Sequence, residues 1–380
     1  MKTKNKFLGL DHLRALAITL VFFYHYQFFQ HPAWMESFSN FGWCGVDLFF
    51  VLSGFLISNQ LLAEWQKTNR ISMRVFYLKR IFRILPPYLF VLCIYIFVPA
   101  FHERETLAPL WKMLTFTQNF GQNIRVYGTF SHAWSLCVEE QFYLLLPLLL
   151  LWTCSTRLKQ KPAWLIPGIF LLTLILRWII WQFWLEPLKD SDNFSMYWYQ
   201  WIYYPTYTRL DGLVTGVGIA AVYRFRRNWL ESLKPYANMI MFAGCLLFAL
   251  SFYICSDHFS AVASVPGFSI VAVCFGLFVF SAILPGSLLF RSKSIVTKNL
   301  ATLSYSLYLS HKGLIHVTQN ILRGSGIEGN SGLMFLICIL VCIGGALLMR
   351  VLIEKPALIW RNKILSDERI QAGTTISGLQ

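Results

Sequence analysis

Arg14 and His25 stand eleven positions apart on LDHLRALAITLVFFYHYQFF, a segment otherwise suited to lipid. Ionisable groups at membrane depth are costly, so they usually face a protein-lined cavity and mark a functional path. Eleven helical steps return His25 to within about 20° of the face carrying Arg14 and lift it about 16 Å along the axis. A cation at one membrane surface and an imidazole deep in the layer would then look along one groove. The plainer alternative is that Arg14 snorkels and His25 is a satisfied buried histidine.

Other residues extend this pattern. Arg80 and Arg83, in FYLKRIFRILPPY, are three apart and share a helix face beside Lys79. Two guanidinium forks side by side suit phosphate recognition. Alone they would read as membrane anchoring; with Arg14 at the same depth they favour an anionic, phosphorylated ligand. Asp47, in GWCGVDLFFVLSGFLIS, lies near the outer end of the second apolar segment and needs a partner or a proton, whereas Ser53 and Gly54 read as helix-packing residues.

Glu139 and Glu140, in HAWSLCVEEQFYLLLPLLL, point about 100° apart, so only one can face a given groove. Glu139 matches His25 in depth, which would let a carboxylate orient the imidazole and raise its basicity. Arg209 and Asp211, in TRLDGLVTGV, either bind an acceptor or pair with each other. His311, in SYSLYLSHKG, either lines a cavity or bonds a neighbouring helix, and Glu354 and Lys355 anchor the last apolar segment.

The elements that must hold these residues follow from composition. The chain is 56% hydrophobic and only 13% charged over 380 residues, and its apolar residues fall in blocks of membrane-spanning length. Ten blocks are expected as spans, near 8–29, 41–62, 84–101, 134–152, 163–182, 206–223, 237–255, 263–284, 300–321 and 332–353. The first is too rich in Arg, His and Tyr for a cleaved signal peptide. The reading is an all-α integral membrane protein, a bundle of about ten transmembrane helices.

Basic residues set its orientation. With the N-terminus inside, 24 of the 33 Lys and Arg fall on the cytoplasmic side and six outside, while Arg14, Arg177 and Lys312 lie within spans. That asymmetry predicts both termini in the cytoplasm. The net charge of +15 is dispersed over short loops, which argues against nucleic acid. Nine cysteines show no CxxC spacing, and no metal site is expected. Two long outer connections, about 102–133 and 183–205, should pack over the outer face as caps or re-entrant pieces. Residues 1–362 form one expected domain, and 363–380 a mobile cytoplasmic tail.

Eight blocks in order, LDHLRALAITLVFFYH, GVDLFFVLSGFLIS, KRIFRILPPY, LTFTQNF, WSLCVEEQFYLLLP, RLDGLVTGV, SYSLYLSH and IEKPAL, resemble the acyltransferase-3 family of integral membrane acyltransferases, which includes O-acetyltransferases of bacterial surface glycans. The resemblance covers nearly the whole chain. It implies a multi-pass protein of a bacterial cytoplasmic membrane that moves an acyl group, commonly acetyl, from cytoplasmic acyl-CoA to a hydroxyl of a carbohydrate or glycolipid on the far side. Acyl-CoA would be donor substrate and no bound cofactor is implied; glycan-assembly proteins are the implied partners beside the bilayer.

The family's two essential motifs match Arg14 with His25 and Arg80 with Arg83. His12 stands where the family usually has Gly, and Cys137 where it has Ser. The expected roles are His25 as general base or acyl carrier, Glu139 (in second place Glu140) as its orienting acid, and Arg14, Arg80 and Arg83 as the donor's phosphate clamp. Relatives often carry a fused extracytoplasmic hydrolase-like domain; none follows here, so the expectation is that this chain works alone or with a separate partner. A multi-span transporter or flippase is the alternative, but no paired, interrupted half-repeats support it.

Overall fold

The computed structural model describes residues 7–155 and 164–377, with side chains in 7–153 and 164–366. Six of the basic residues assigned inside (Lys2, Lys4, Lys6, Arg157, Lys159 and Lys161) and the last three residues of the expected tail lie outside that range. Among the described residues there is no strand, only one isolated bridge between Leu107 and Thr129. The protein is all-helical.

Every apolar block contains a helix: α1 Leu8–Tyr26, α2 Gly45–Thr68, α3 Met73–Phe97, α4 Trp134–Ser155, α5 Leu165–Ile180, α6 Leu210–Phe225, α7 Ala237–Ile254, α8 Phe268–Ile283, α9 Ile295–Ile321 and α10 Gly332–Met349. An eleventh, α11 Lys355–Ser377, follows α10 through a π-helical turn at Arg350–Glu354 and continues beyond Arg361, through much of the expected tail. Seven helical stretches among the described residues are long and apolar enough to cross a membrane. The three blocks outside that set are α1, which carries Asp11, Arg14 and His25; α6, which has only 16 residues; and α9, which carries Lys298, His311 and Lys312. Polar content and length separate them from the rest. The chain is a multi-pass membrane protein.

The chain divides into two compact units. The first runs to Phe28, then takes in Ala33–Ile71 and Glu103–Thr302; the second takes in Phe29–Pro32, Ser72–His102 and the chain from Leu303 onward.

In the first unit, α2 and α6 pack backbone to backbone. A Cβ on Gly54 would stand 2.0 Å from the Leu213 carbonyl oxygen, and one on Gly216 would stand 2.2 Å from that of Val51. Lipid tails are as apolar as the side chains, so such close approach supplies the packing that burial from water supplies elsewhere. Gly54 is thus a packing residue, as its sequence suggests. Ser53 is not: its hydroxyl donates to Glu139 Oε1 at 2.9 Å.

Two ion pairs tie the same unit together. Arg209 Nη2 meets Asp47 Oδ1 at 2.8 Å, and Arg177 Nη1 meets Asp211 Oδ2 at 2.8 Å, all four side chains being fully buried. Arg177 also donates to the Thr208 carbonyl and to Ser269 Oγ, and Ser269 donates to Asp211. The guanidinium of Arg209 lies over the Phe268, Tyr203 and Trp134 rings, at 4.0, 5.0 and 5.7 Å. Helices α2, α5, α6 and α8 are thereby joined through charge, with Trp134, the first residue of α4, against that charge.

In the second unit, Ser72 caps α3 by accepting from the Val75 amide, and Ser331 caps α10 from Met334. Pro86 and Pro87 lie inside α3, where each removes a backbone donor. The Tyr305 hydroxyl, from α9, donates to the neighbouring Ile84 carbonyl at 2.9 Å. Cross-helix satisfaction of this kind lets a proline-containing helix persist in lipid.

Candidate active site

The first unit brings His25 to a second imidazole. Helix α1 ends one residue after His25, and Gln27 closes it with its amide on the Phe23 carbonyl. Gln27 in turn accepts from Ser39 Oγ at 2.8 Å, which pins the helix end. The His25 ring is half-buried, and its centroid lies 5.7 Å from that of His132, with the planes 63° apart.

His132 is 2% exposed and sits in a single 3-10 turn, Ser131–Ala133, immediately before α4. Phe130 packs against it. This residue adopts φ +56°, a left-handed conformation uncommon for an aromatic side chain, and its amide donates to Glu103 Oε1 at 3.1 Å. Its buried ring meets His132 edge-on at 5.1 Å. Strained backbone that the surroundings hold in place is a recurring feature of functional sites.

One and two turns into α4, the Glu139 carboxylate accepts from Ser53 Oγ on α2 and from the Tyr143 hydroxyl, each at 2.9 Å. The sequence expects Glu139 to orient His25. The structure adds a donor on each oxygen, and these fix the carboxylate's own direction. Glu140 is half-buried one position further on. Beside it, Gln141 donates to the Phe116 carbonyl and to Asn119 Oδ1, while Asn119 donates to the Tyr204 carbonyl and Thr206 Oγ1. Part of the connection 102–133 is therefore packed into the first unit through the amides of Asn119 and Gln141.

Arg209 and Asp211 do not pair with each other: Arg209 takes Asp47, Asp211 takes Arg177, and all four side chains are fully buried. Partners 162 and 34 positions away leave no local sequence signal. Asp47 thus has the partner its depth demanded. His12 bridges α1 to the segment before α9 and to the first turn of α9: its Nε2 donates to the Ser292 carbonyl at 3.1 Å and its Nδ1 accepts from Thr297 Oγ1 at 2.8 Å.

The cations divide differently. Arg14 is half-buried on α1 in the first unit. Arg80 and Arg83 belong to α3 in the second unit, Arg80 half-buried and Arg83 exposed. Arg83 has no hydrogen-bond or ion-pair partner among the described residues. A third guanidinium, Arg361 on α11, lies near enough for the positive charges of Arg83 and Arg361 to act on each other. Sequence reading passed over Arg361 because it stands where the fold was expected to end.

His311, also in the second unit, is fully buried; its Nδ1 donates to the Leu307 carbonyl one turn back, and Cys342 Sγ caps its own carbonyl. Glu354, the last residue of the π-helical turn, accepts from Ser306 and so ties that turn to α9.

The family described as an acyltransferase domain matches residues 7–351. Among similar proteins are O-acetyltransferase OatA of Staphylococcus aureus, 29% identical over 328 residues, and peptidoglycan O-acetyltransferase OatA of Listeria monocytogenes, 27% identical over 337. These alignments cover 81% and 83% of this chain and 50% of each relative, so the chain spans about half the length of the relatives it matches. No solved structure matches. The family match extends over nearly the whole chain, and the chain belongs to the acyltransferase-3 family.

Proposed function

We propose that the protein is a membrane O-acyltransferase that moves an acetyl group from acyl-CoA, bound from the cytoplasm, to a hydroxyl of a surface-polysaccharide sugar on the far side of a bacterial cell membrane. The observation that carries this reading is the His25–His132 pair, placed on a chain whose family is acyltransferase. The names of its relatives, O-acetyltransferase and peptidoglycan O-acetyltransferase, support the acetyl group and the glycan acceptor. The topology that goes with it has ten spans, the three polar helices included, and both termini inside.

In this reading His25 takes the proton from the acceptor hydroxyl as its oxygen attacks the thioester carbonyl. A C–O bond forms, the tetrahedral intermediate collapses, the C–S bond breaks, and the CoA thiolate recovers a proton. His25 lies in the last turn of α1, the pole of a helix that stabilises positive charge. That suits a base which is charged in mid-reaction. His132 is the second proton carrier, and Glu139, fixed by Ser53 and Tyr143, is the negative group of the site. Arg14, Arg80 and Arg83 bind the donor's phosphates, with Arg361 added by its proximity to Arg83.

The test is His25→Ala in isolated membranes supplied with labelled acetyl-CoA and a glycan acceptor. Label transfer should fall by about 10²–10⁴-fold while the amount of inserted protein is unchanged. Substantial remaining transfer would remove His25 from the chemistry.

A further inference from the structure

The second unit contains a cavity of about 270 Å³ that none of the preceding roles uses. We propose that it is a saccharide subsite, binding a sugar ring of the acceptor other than the ring that is acylated. This rests on the acyl-transfer reading for its biological purpose, but its chemistry stands on the residues that line it.

Those residues are of the kind that sugars require. Phe29, Gln30, His316, Gln319, Asn320 and Arg323 line the cavity, with Met334 among the apolar part of the wall. Carboxamides present a donor and an acceptor side by side, the pattern that matches neighbouring hydroxyls on a sugar ring. Aromatic faces pack on the C–H faces of such a ring, and a guanidinium donates to hydroxyl, ring or carboxylate oxygens.

The wall is also preorganised. The Gln30 amide donates to Gln319 Oε1 at 3.3 Å, and Gln319 Nε2 donates to the Gln30 carbonyl at 2.8 Å. This double clamp holds the Gln30 backbone and leaves its side-chain amide without a hydrogen-bond partner among the described residues. Asn320 Nδ2 bonds His316 Nε2 at 2.9 Å, which fixes the ring and leaves Asn320 Oδ1 to accept. Arg323 is exposed and has no carboxylate partner among the described residues. Gly329 makes the room: a Cβ there would stand 1.6 Å from Gln30 Oε1, so any larger residue must drive that amide out of place.

Size and position agree with the same ligand. The volume suits one sugar ring better than a nucleotide or an acyl chain. Phe29 and Gln30 follow His25 by four and five positions in the chain. Arg323 is among the few cations that the charge asymmetry assigns to the outer side, where the acceptor is expected.

The experiment uses the full chain in phosphatidylcholine nanodiscs and titrates an N-acetylglucosamine tetrasaccharide, followed by saturation-transfer NMR. Saturable binding is expected, weakened about tenfold by Gln30→Ala and by Asn320→Ala, both surface positions that should leave folding intact. Gly329→Leu should weaken binding through the displaced Gln30 amide. In transfer assays the same variants should raise the acceptor KM, with donor KM and kcat kept.

Absence of saturable binding to the unaltered protein, or equal binding by all three variants, would overturn the proposal. So would loss of the saccharide signal when phosphatidylglycerol replaces phosphatidylcholine, since a lipid headgroup would then own the cavity. Binding is read without turnover. Failure of the His25 test therefore leaves this result standing, and failure here leaves the His25 assignment standing.

Discussion

Two sets of arginines in this protein have opposite fates. Arg177 and Arg209, in the first unit, are fully buried and each holds a carboxylate at 2.8 Å. Arg83, in the second, is exposed with no described partner, and a charge that acts on it is another guanidinium, Arg361. Desolvating an unpaired charge is costly, so the first set could enter the interior only with its partners. Placing Arg83 near Arg361 has an electrostatic cost, because like charges repel. An arrangement that is unfavourable without ligand is what an anion-binding site looks like before the anion arrives. Paired charge builds this protein, and the proposed function assigns the exposed Arg83 to the donor's phosphates.

The sharpest way to break that contrast is to unpair a buried charge. Asp47→Ala leaves Arg209 alone among Trp134, Tyr203 and Phe268, and should cost about 3–5 kcal/mol, seen as a lower melting temperature in detergent and less inserted protein. Replacing both partners, Asp47→Leu with Arg209→Met, should recover most of that loss. If the double variant is no better than the single one, the pair has a role beyond architecture.

Arg83→Ala should do the reverse. Its melting temperature should stay within the range of an ordinary surface change, about 0.5 kcal/mol, while the KM for acyl-CoA rises about tenfold. Arg361→Ala should raise donor KM by a smaller factor, about threefold, consistent with a few tenths to 1 kcal/mol for an exposed charge. Both effects should shrink as salt is added, because exposed charges are screened.

The smallest effect concerns His258, in the turn between α7 and α8. Burial against Trp198 and Phe259 pushes its imidazole below the ordinary value near 6.5, with Asp257 opposing. The unfolded chain therefore binds the proton more readily. Stability should be fully present above pH 6.5 and decline as the pH falls below it, and His258→Gln should flatten that slope in thermal melts.

Much of the architecture was legible because lipid enforces it. Each apolar block contains a helix, since an unbonded backbone cannot exist in hydrocarbon. The blocks that fail a simple apolar test are three of those bearing candidate residues: α1 with Arg14 and His25, α6 with Asp211, and α9 with His311. In α1 and α9 the polar residues dilute the signal that announces a span, and in α6 the helix is too short to give it.

The partner of Asp47 was legible only as a demand. Which arginine answered it depended on helices brought together across 162 residues. His132 was missed because it precedes α4 in a single turn and owes its position to the left-handed backbone of Phe130, which composition does not reveal. Its one local signal was a histidine immediately before the WSLCVEEQ block.

The most direct test is a pair of donor-saturation curves, for His25→Ala and Arg83→Ala, on protein whose melting temperature is unchanged. The account predicts that His25→Ala loses kcat at any donor concentration, whereas Arg83→Ala regains near-normal kcat once acyl-CoA is raised about tenfold. Transfer by His25→Ala at the normal rate, or an unaltered donor KM in Arg83→Ala, would contradict it.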